Sequence, residues 1–392
     1  MLELINRMKE FIKQKIREGL ITEERIKFDL PIPDDIRAIK DVFKANGFKL
    51  YVVGGAVRDA LLGKTPKDYD LATDALPDKV EEMMKGAGLK TLPTGKSFGV
   101  INVFTDKGEY EIATFREDLS GGRRPDAVSF TNIEGDVKRR DLTINALFYD
   151  IDTFEIVDLV GGVSDLKNGV VRTVGSAEER FGEDRLRILR AIRFAGRFGS
   201  DLDPAVDAAL KKDSSLQGIS GERIRDEFMK GIASAKSVKK FLTMIWLYGL
   251  FDWVFKDLDV DKNFVEDKDP IVVIASMLKK NSIGILTKKL NELKYTVEEI
   301  KAITFLIALL KLSVDTAVTL KRAQKNAGVT PQQMKSFANR EGIDKTLLDA
   351  FIRFDLTVNG QEVMDTQNIK PGPELGQTIQ KMETNNFKKL LN

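Results

Sequence analysis

The spacing of apolar residues changes character once along this chain, and that change bounds its architecture. Up to about residue 150, short apolar runs alternate with Gly, Pro and Asp turns. Residues 48–53 (Phe-Lys-Leu-Tyr-Val-Val) read as a buried strand, and 99–104, 109–115 and 127–130 carry strand character. Residues 141–150 move from helix to strand. From about residue 177 the period is helical, in segments 183–198, 203–212, 220–233, 236–247, 270–280, 284–294, 297–311, 313–326, 331–339 and 344–353. The pattern predicts one α/β domain over 36–150 and an array of helices behind it. In front, Ile5, Met8, Ile12 and Ile16 share a helical face and Gly19 is a stop, so 1–35 reads as an N-terminal helical extension. A second helix begins at Asp34 and ends near Asn46-Gly47.

The 392 residues include no histidine and no cysteine. Ser-His-Asp and Cys-His mechanisms are therefore excluded, as are His/Cys zinc sites and phosphohydrolase centres built on His-Asp ligands. Chemistry must run on carboxylates, Arg or Lys, hydroxyls, or a hard oxygen-ligated ion such as Mg²⁺. A net charge of +2 means that any contact with a polyanion must come from local basic surfaces. No apolar run approaches the roughly 20 residues that span a bilayer. The mixed charges of Met1–Arg17 do not read as a secretory or transit signal. A cytoplasmic, reducing compartment is the expectation, with no membrane and no obligate protein partner.

Two short stretches carry the chemistry of the first half. Gly54-Gly55-Ala56-Val57-Arg58-Asp59 follows a strand and opens a helix. Glycine lets backbone approach a phosphate, helix-start N–H groups favour anions, and Arg58 adds a fork of donors. Alone it is equally a tight turn, and the G-x-G-x-x-G dinucleotide spacing is not completed. Close behind comes Pro66-Lys67-Asp68-Tyr69-Asp70-Leu71-Ala72-Thr73. In a strand, residues i and i+2 share a face, so Asp68 and Asp70 can grip one cation. Two-metal phosphoryl transfer requires such paired carboxylates. A lone Asp-x-Asp is usually a solvated surface feature; behind a phosphate-type turn it reads as a metal site.

On these residues the chain resembles the nucleotidyltransferase superfamily that includes DNA polymerase beta. More closely, it is similar to class II tRNA nucleotidyltransferases, the CCA-adding enzymes, whose near relatives are bacterial poly(A) polymerases. The resemblance covers at least residues 48–230. It implies an α+β nucleotidyltransferase head followed by an all-α neck, body and tail. The corresponding bounds are 36–150 for the head, 151–235 for the neck, hinge and base-recognition helices, and 236–392 for a tRNA-binding body and tail. It also implies that Asp68 and Asp70 hold Mg²⁺ and that Gly55 and Arg58 contact the triphosphate. Glu111 is a candidate third carboxylate, or equally an exposed strand residue. Arg139-Arg140-Asp141-Leu142-Thr143-Ile144-Asn145-Ala146 matches the motif assigned to triphosphate and ribose, making Arg139, Arg140, Asp141 and Asn145 nucleotide-binding candidates. The paired glycines of Asp158–Leu166 suit a flexible hinge.

The stretch Glu183-Asp184-Arg185-Leu186-Arg187-Ile188-Leu189-Arg190-Ala191-Ile192-Arg193-Phe194 matches the family's base-recognition motif. Asp184, Arg187 and Arg190 fall at i, i+3 and i+6, near one helical face, and Arg193 extends the row. Cytosine and adenine each present an amino donor beside a ring-nitrogen acceptor. A carboxylate accepts from the first while a guanidinium donates to the second. Uracil and guanine invert the pattern and would leave buried polar groups unpaired. One Asp and one Arg thus select C and A without a nucleic-acid template. Ser220–Glu227 matches a further family motif and reads as a brace with an N-cap at Ser220.

The implied activity is addition of CCA to the tRNA 3′ acceptor end from CTP and ATP, with release of pyrophosphate. The alternative is a poly(A) polymerase. A Ser-Gly-Gly loop within 115–126 favours CCA addition. Thr94–Gly99 carries neither the His usual in CCA enzymes nor the Arg-Arg of poly(A) polymerases, and no long basic C-terminal extension is seen. Residues 360–376 resemble a C-terminal element of bacterial members. Lys279-Lys280, Lys288-Lys289 and Lys321-Arg322 could follow an acceptor arm, although most such pairs read as solvated helix faces.

Overall fold

The computed structural model describes residues 24–118, 128–264 and 266–391. The helix expected over 1–18 and the Ser-Gly-Gly loop lie outside them. The chain divides into two compact units, Met1–Ser214 and Ser215–Asn392.

The first unit is built on a mixed eight-stranded sheet. Its strands are β1 (Glu24–Lys27), β2 (Leu50–Val53), β3 (Asp70–Thr73), β4 (Lys90–Gly95), β5 (Val100–Phe104), β6 (Glu109–Thr114), and, past the short hairpin β7 (Arg116–Asp118) and β8 (Val128–Phe130), β9 (Phe148–Asp150) and β10 (Glu155–Asp158). They lie in the order β1-β10-β9-β2-β3-β6-β5-β4. All four residues of β2 are buried because the sheet is covered on both faces. Alternation sends Leu50 and Val52 to the side packed by Ile36, Ile39 and Phe43 of helix Asp34–Ala45 and by Val80 and Met84 of helix Pro77–Gly86. Tyr51 and Val53 face Phe115, Val137 and Phe148 on the other side.

Two strands of this sheet lie outside the expected 36–150, as does a separate parallel pair, Val170–Val171 with Asp201–Leu202. β1 pairs antiparallel with β10, Glu24 opposite Asp158 and Lys27 opposite Glu155. Residues 24–27, read from sequence as part of a helical extension, are therefore strand. Glu-Arg-Ile-Lys has one apolar residue and no readable period, so its partner decides its conformation.

The glycine pair expected to act as a loose hinge is a stapled turn. The Asp158 carboxylate, fully buried, accepts hydrogen bonds from the amides of Val160, Gly162 and Val163 at 3.0, 3.0 and 2.8 Å. A Cβ on Gly162 would stand 2.2 Å from the Thr143 carbonyl oxygen, so only glycine permits this approach.

The second unit is helical throughout its described residues, from Gly221–Ser234 to Pro373–Lys389. Its helices start where cap residues occur: Ser220 accepts from the Arg223 amide, and Thr296 with Glu299 and Thr330 with Gln333 form capping boxes. Helices Gly360–Gln367 and Pro373–Lys389 went unread in the sequence, although Asn359 caps the first and a proline opens the second. The basic pairs are largely absorbed by the fold. Lys279 pairs with Glu341 at 2.6 Å, Lys289 with Asp257 at 2.8 Å, and buried Lys321 donates to the Phe351 carbonyl at 3.2 Å. No helix among the described residues is long and apolar enough to cross a membrane.

Candidate active site

The carboxylates gather where β2 ends and β3 begins. Asp70 is the first residue of β3 and lies opposite Val53. Asp68 sits two residues earlier, outside the strand rather than within it as the alternation rule assumed. Parallel pairing of Leu71 with Ile112 sets Glu111 beside Asp70. Asp70 is solvent-accessible yet crowded by protein. Desolvation raises its carboxyl above the usual range, Arg140 opposes the rise and Asp68 adds to it. Glu111 is raised by desolvation first and then by the charge of Asp70. Such crowding of negative charge is what a divalent cation relieves, so the Asp68–Asp70 pair fits a Mg²⁺ ion. Among the described residues, however, no three acidic side chains converge into a metal cage. Glu111 is a neighbour of Asp70.

The Gly54 turn sits at the end of β2, with φ +68°, a left-handed conformation that favours glycine. A Cβ there would lie 3.6 Å from a terminal nitrogen of Arg140. That guanidinium stacks over Phe148 at 4.6 Å and donates to Asp136 at 2.9 and 3.1 Å. Arg139 donates to the other Asp136 oxygen at 2.7 Å. Arg140 thus lies beside the turn and its charge acts on Asp70. Asp136, 1% exposed, holds both arginines and was missed in the sequence; its signal was the i−3 and i−4 spacing on helix Ile133–Arg139.

Arg58, expected at the triphosphate, is buried, with a terminal nitrogen 3.6 Å from where a Cβ on Gly55 would stand. It is 4% exposed, pairs with Asp59 at 2.9 Å and donates to the Asn145 side-chain oxygen. Its guanidinium faces the rings of Phe194 and Phe198. Asn145 in turn donates to Asp141 at 3.2 Å, so that side chain too is engaged within the protein.

The base-recognition motif is not one continuous helix. Helix Ala177–Glu183 ends at Asp184, which is extended (φ −145°, ψ 105°), and a new helix runs Leu186–Phe198. Asp184 accepts the Leu186 amide at 3.0 Å and so caps the second helix. Arg187 lies in the first turn of that helix, held by Glu183 and by the carbonyls of Arg180 and Arg139 at 3.1 and 3.2 Å. Arg190 donates to Asp141 at 2.6 Å. Arg193 is buried, its guanidinium 4.3 Å from the Phe194 centroid. Asp184 and Arg187 still share one end of the Leu186–Phe198 helix, adjacent to the Arg139–Arg140 segment.

Asp70, Asp68, the glycine turn and the paired arginines stand at one end of a mixed sheet, and comparison with known proteins makes the chain a nucleotidyltransferase. Residues 50–172 match the poly A polymerase head domain family, and 201–262 match the probable RNA and SrmB-binding site of polymerase A. A CCA-adding enzyme of Ligilactobacillus salivarius is 33% identical over 90% of this chain and 92% of its own length. One from Staphylococcus aureus strain Newman is 32% identical over 91% and 94%. The chain belongs to the CCA-adding enzyme family. The fold is also that of the Bacillus stearothermophilus CCA-adding enzyme in complex with CTP (TM-score 0.66, 24% identity, covering 89% of this chain and 91% of that one). It is likewise that of the Thermotoga maritima CCA-adding enzyme complexed with tRNA (TM-score 0.68, 22% identity, 93% and 95% covered).

Proposed function

We propose that this protein adds C, C and A in turn to the 3′ end of tRNA, taking CTP and ATP and releasing pyrophosphate, without a nucleic-acid template. The observation that carries this is the junction at Asp184. An acid and an arginine of the base-reading type stand at one helix end, and Arg190–Asp141 ties that helix to the Arg139–Arg140 segment beside the carboxylates. Full-length relatives named for CCA addition support it.

Asp68 and Asp70 would hold Mg²⁺, which when bound lowers the pKa of an attacking hydroxyl and screens a leaving pyrophosphate. Arg140, preset by Asp136 and Phe148, supplies positive charge to the phosphates at no reorganisation cost. Gly55 supports close approach of the triphosphate, and Asn145 and Arg139 line the nucleotide's ribose and phosphate side. Asp184 accepts from the base amino group and Arg187 donates to the ring nitrogen, which excludes UTP and GTP. The 3′-hydroxyl then attacks the α-phosphate in line. A cytoplasmic setting, with tRNA as the partner, follows from this reading.

The test is a tRNA lacking its CCA end, incubated with CTP alone and then with ATP. Two additions followed by one support the proposal. Open-ended A addition with no response to CTP would instead make the protein a poly(A) polymerase.

A further inference from the structure

The two candidate metal ligands are held very unequally. Asp70 opens β3 and is paired with Val53 of β2, whereas Asp68 lies in the run before the strand. Among the described residues, no backbone–backbone hydrogen bond holds 65–68, and the Asp68 carboxylate makes no hydrogen bond or ion pair. Tyr69 stands between the two acids and points the other way. Asp70 lies opposite Val53, whose side of the sheet carries Tyr51, Phe115 and Phe148, while the Tyr69 ring packs on the core that holds Leu30, Ile32 and Val52. Its hydroxyl donates to the carbonyl of Pro31, 38 residues earlier. That acceptor is itself fixed. Leu30 and Ile32 on either side of it are 1% and 7% exposed, the Ile32 carbonyl accepts from Arg37 Nε at 3.2 Å, and the Tyr149 hydroxyl donates to the Phe28 carbonyl at 3.1 Å.

We propose that Tyr69 is a positioning residue for the metal pair: with its ring seated on the core and its hydroxyl fastened to Pro31, it holds the turn that carries Asp68, so that this carboxylate stays beside that of Asp70. This rests on the reading of Asp68 and Asp70 as the Mg²⁺ ligands. A loose Asp68 would have to be ordered each time an ion binds, and that lost freedom weakens binding. Tyrosine suits the post because it covers apolar surface and ends in a donor. Pro31 has no N–H and offers only its carbonyl, which Tyr69 takes. Phenylalanine in place of Tyr69 would keep the ring and lose the fastening. The bond lies at the surface, so its loss leaves the Pro31 carbonyl to water and costs the fold little.

The test compares Tyr69→Phe, Tyr69→Leu and Asp70→Asn in the full chain. Readouts are Mn²⁺ affinity by electron paramagnetic resonance without nucleotide, the Mg²⁺ concentration for half-maximal CTP incorporation, and the melting temperature in EDTA. Mn²⁺ is the probe because it takes the same oxygen ligands as Mg²⁺. Tyr69→Phe should weaken Mn²⁺ binding about fivefold and raise the Mg²⁺ requirement by a similar factor, with the melting temperature within about 2 °C of wild type. Tyr69→Leu, which also removes the ring, should weaken Mn²⁺ binding about tenfold or more. Wild-type Mn²⁺ affinity in both Tyr69 variants, with binding lost in Asp70→Asn, overturns the positioning role alone. A lowered melting temperature with unchanged Mn²⁺ affinity makes Tyr69 a purely structural residue and overturns it as well. If Asp70→Asn binds Mn²⁺ like wild type, the metal assignment itself fails and the proposal falls with it.

Discussion

Asp141 and Arg190 form an ion pair, Nε to Oδ2 at 2.6 Å, that joins the Arg139–Ala146 segment to helix Leu186–Phe198. Asp141 also accepts the Leu142 amide at 2.8 Å and the Asn145 amide group at 3.2 Å. Removing its charge weakens the hold on a partly buried guanidinium. Asp141→Asn is expected to lose about 2 kcal/mol of unfolding free energy, and adding Arg190→Gln should recover part of it. Urea melts of the single and double variants measure this; equal losses that simply add would show that the pair is energetically idle.

Asp70 and Glu111 are neighbours across β3 and β6 but should not be equivalent in function. Asp70→Asn is expected to lower turnover about a thousandfold or more with tRNA affinity retained, because it removes charge from the proposed metal pair. Glu111→Gln should cost less than about tenfold. Single-turnover rates and gel-shift affinities test the contrast. A Glu111→Gln loss as large as that of Asp70→Asn would make Glu111 a third ligand after all.

Asp184→Ala is expected to weaken discrimination against UTP and GTP by about tenfold to a hundredfold while the dependence of rate on Mg²⁺ concentration stays put. Competition between CTP and UTP on one tRNA reads it out. Wild-type selectivity in the variant would sink the amino-acid template.

Acid stability should depend on Asp136. Burial alone would raise its carboxyl, but the charges of Arg140 and Arg139 and their hydrogen bonds outweigh it and hold the group below its ordinary 3.8. A carboxyl depressed in the folded state stabilises the fold fully above its unfolded value. That contribution is lost as pH falls through the folded value. Stability of the wild type should therefore decline as pH drops below about 4, and Asp136→Asn, less stable at neutral pH, should lose less over that window. Denaturant unfolding at stepped pH measures the difference.

Much of this was legible in the sequence because the informative residues are contiguous. Gly54-Gly55, Asp68-x-Asp70 and Arg139-Arg140-Asp141 each announce a local geometry, and the structure brings them to one end of the central strands. What stayed hidden depends on partners far along the chain. The donors of Arg58 are visible in its motif, but not the rings of Phe194 and Phe198 that its guanidinium faces. Asp184 has i,i+3 spacing to Arg187 whether the helix is continuous or broken, so period alone could not show the break. The Asp158–Gly162 turn looks pliant by composition, yet the carboxylate that staples it and the Thr143 carbonyl that crowds it are tertiary facts. β1 is the extreme case, four residues given their conformation by a strand more than a hundred positions later.

That last pairing has a practical consequence for anyone trimming the chain. β10 carries its neighbour β9 on one side and only the short Glu24–Lys27 segment on the other. A fragment starting at residue 28 would leave a row of amides and carbonyls on β10 open to strands from other molecules. Such a fragment would keep every residue of the candidate active site and still tend to self-associate, its poor behaviour in solution easily mistaken for a defect in chemistry.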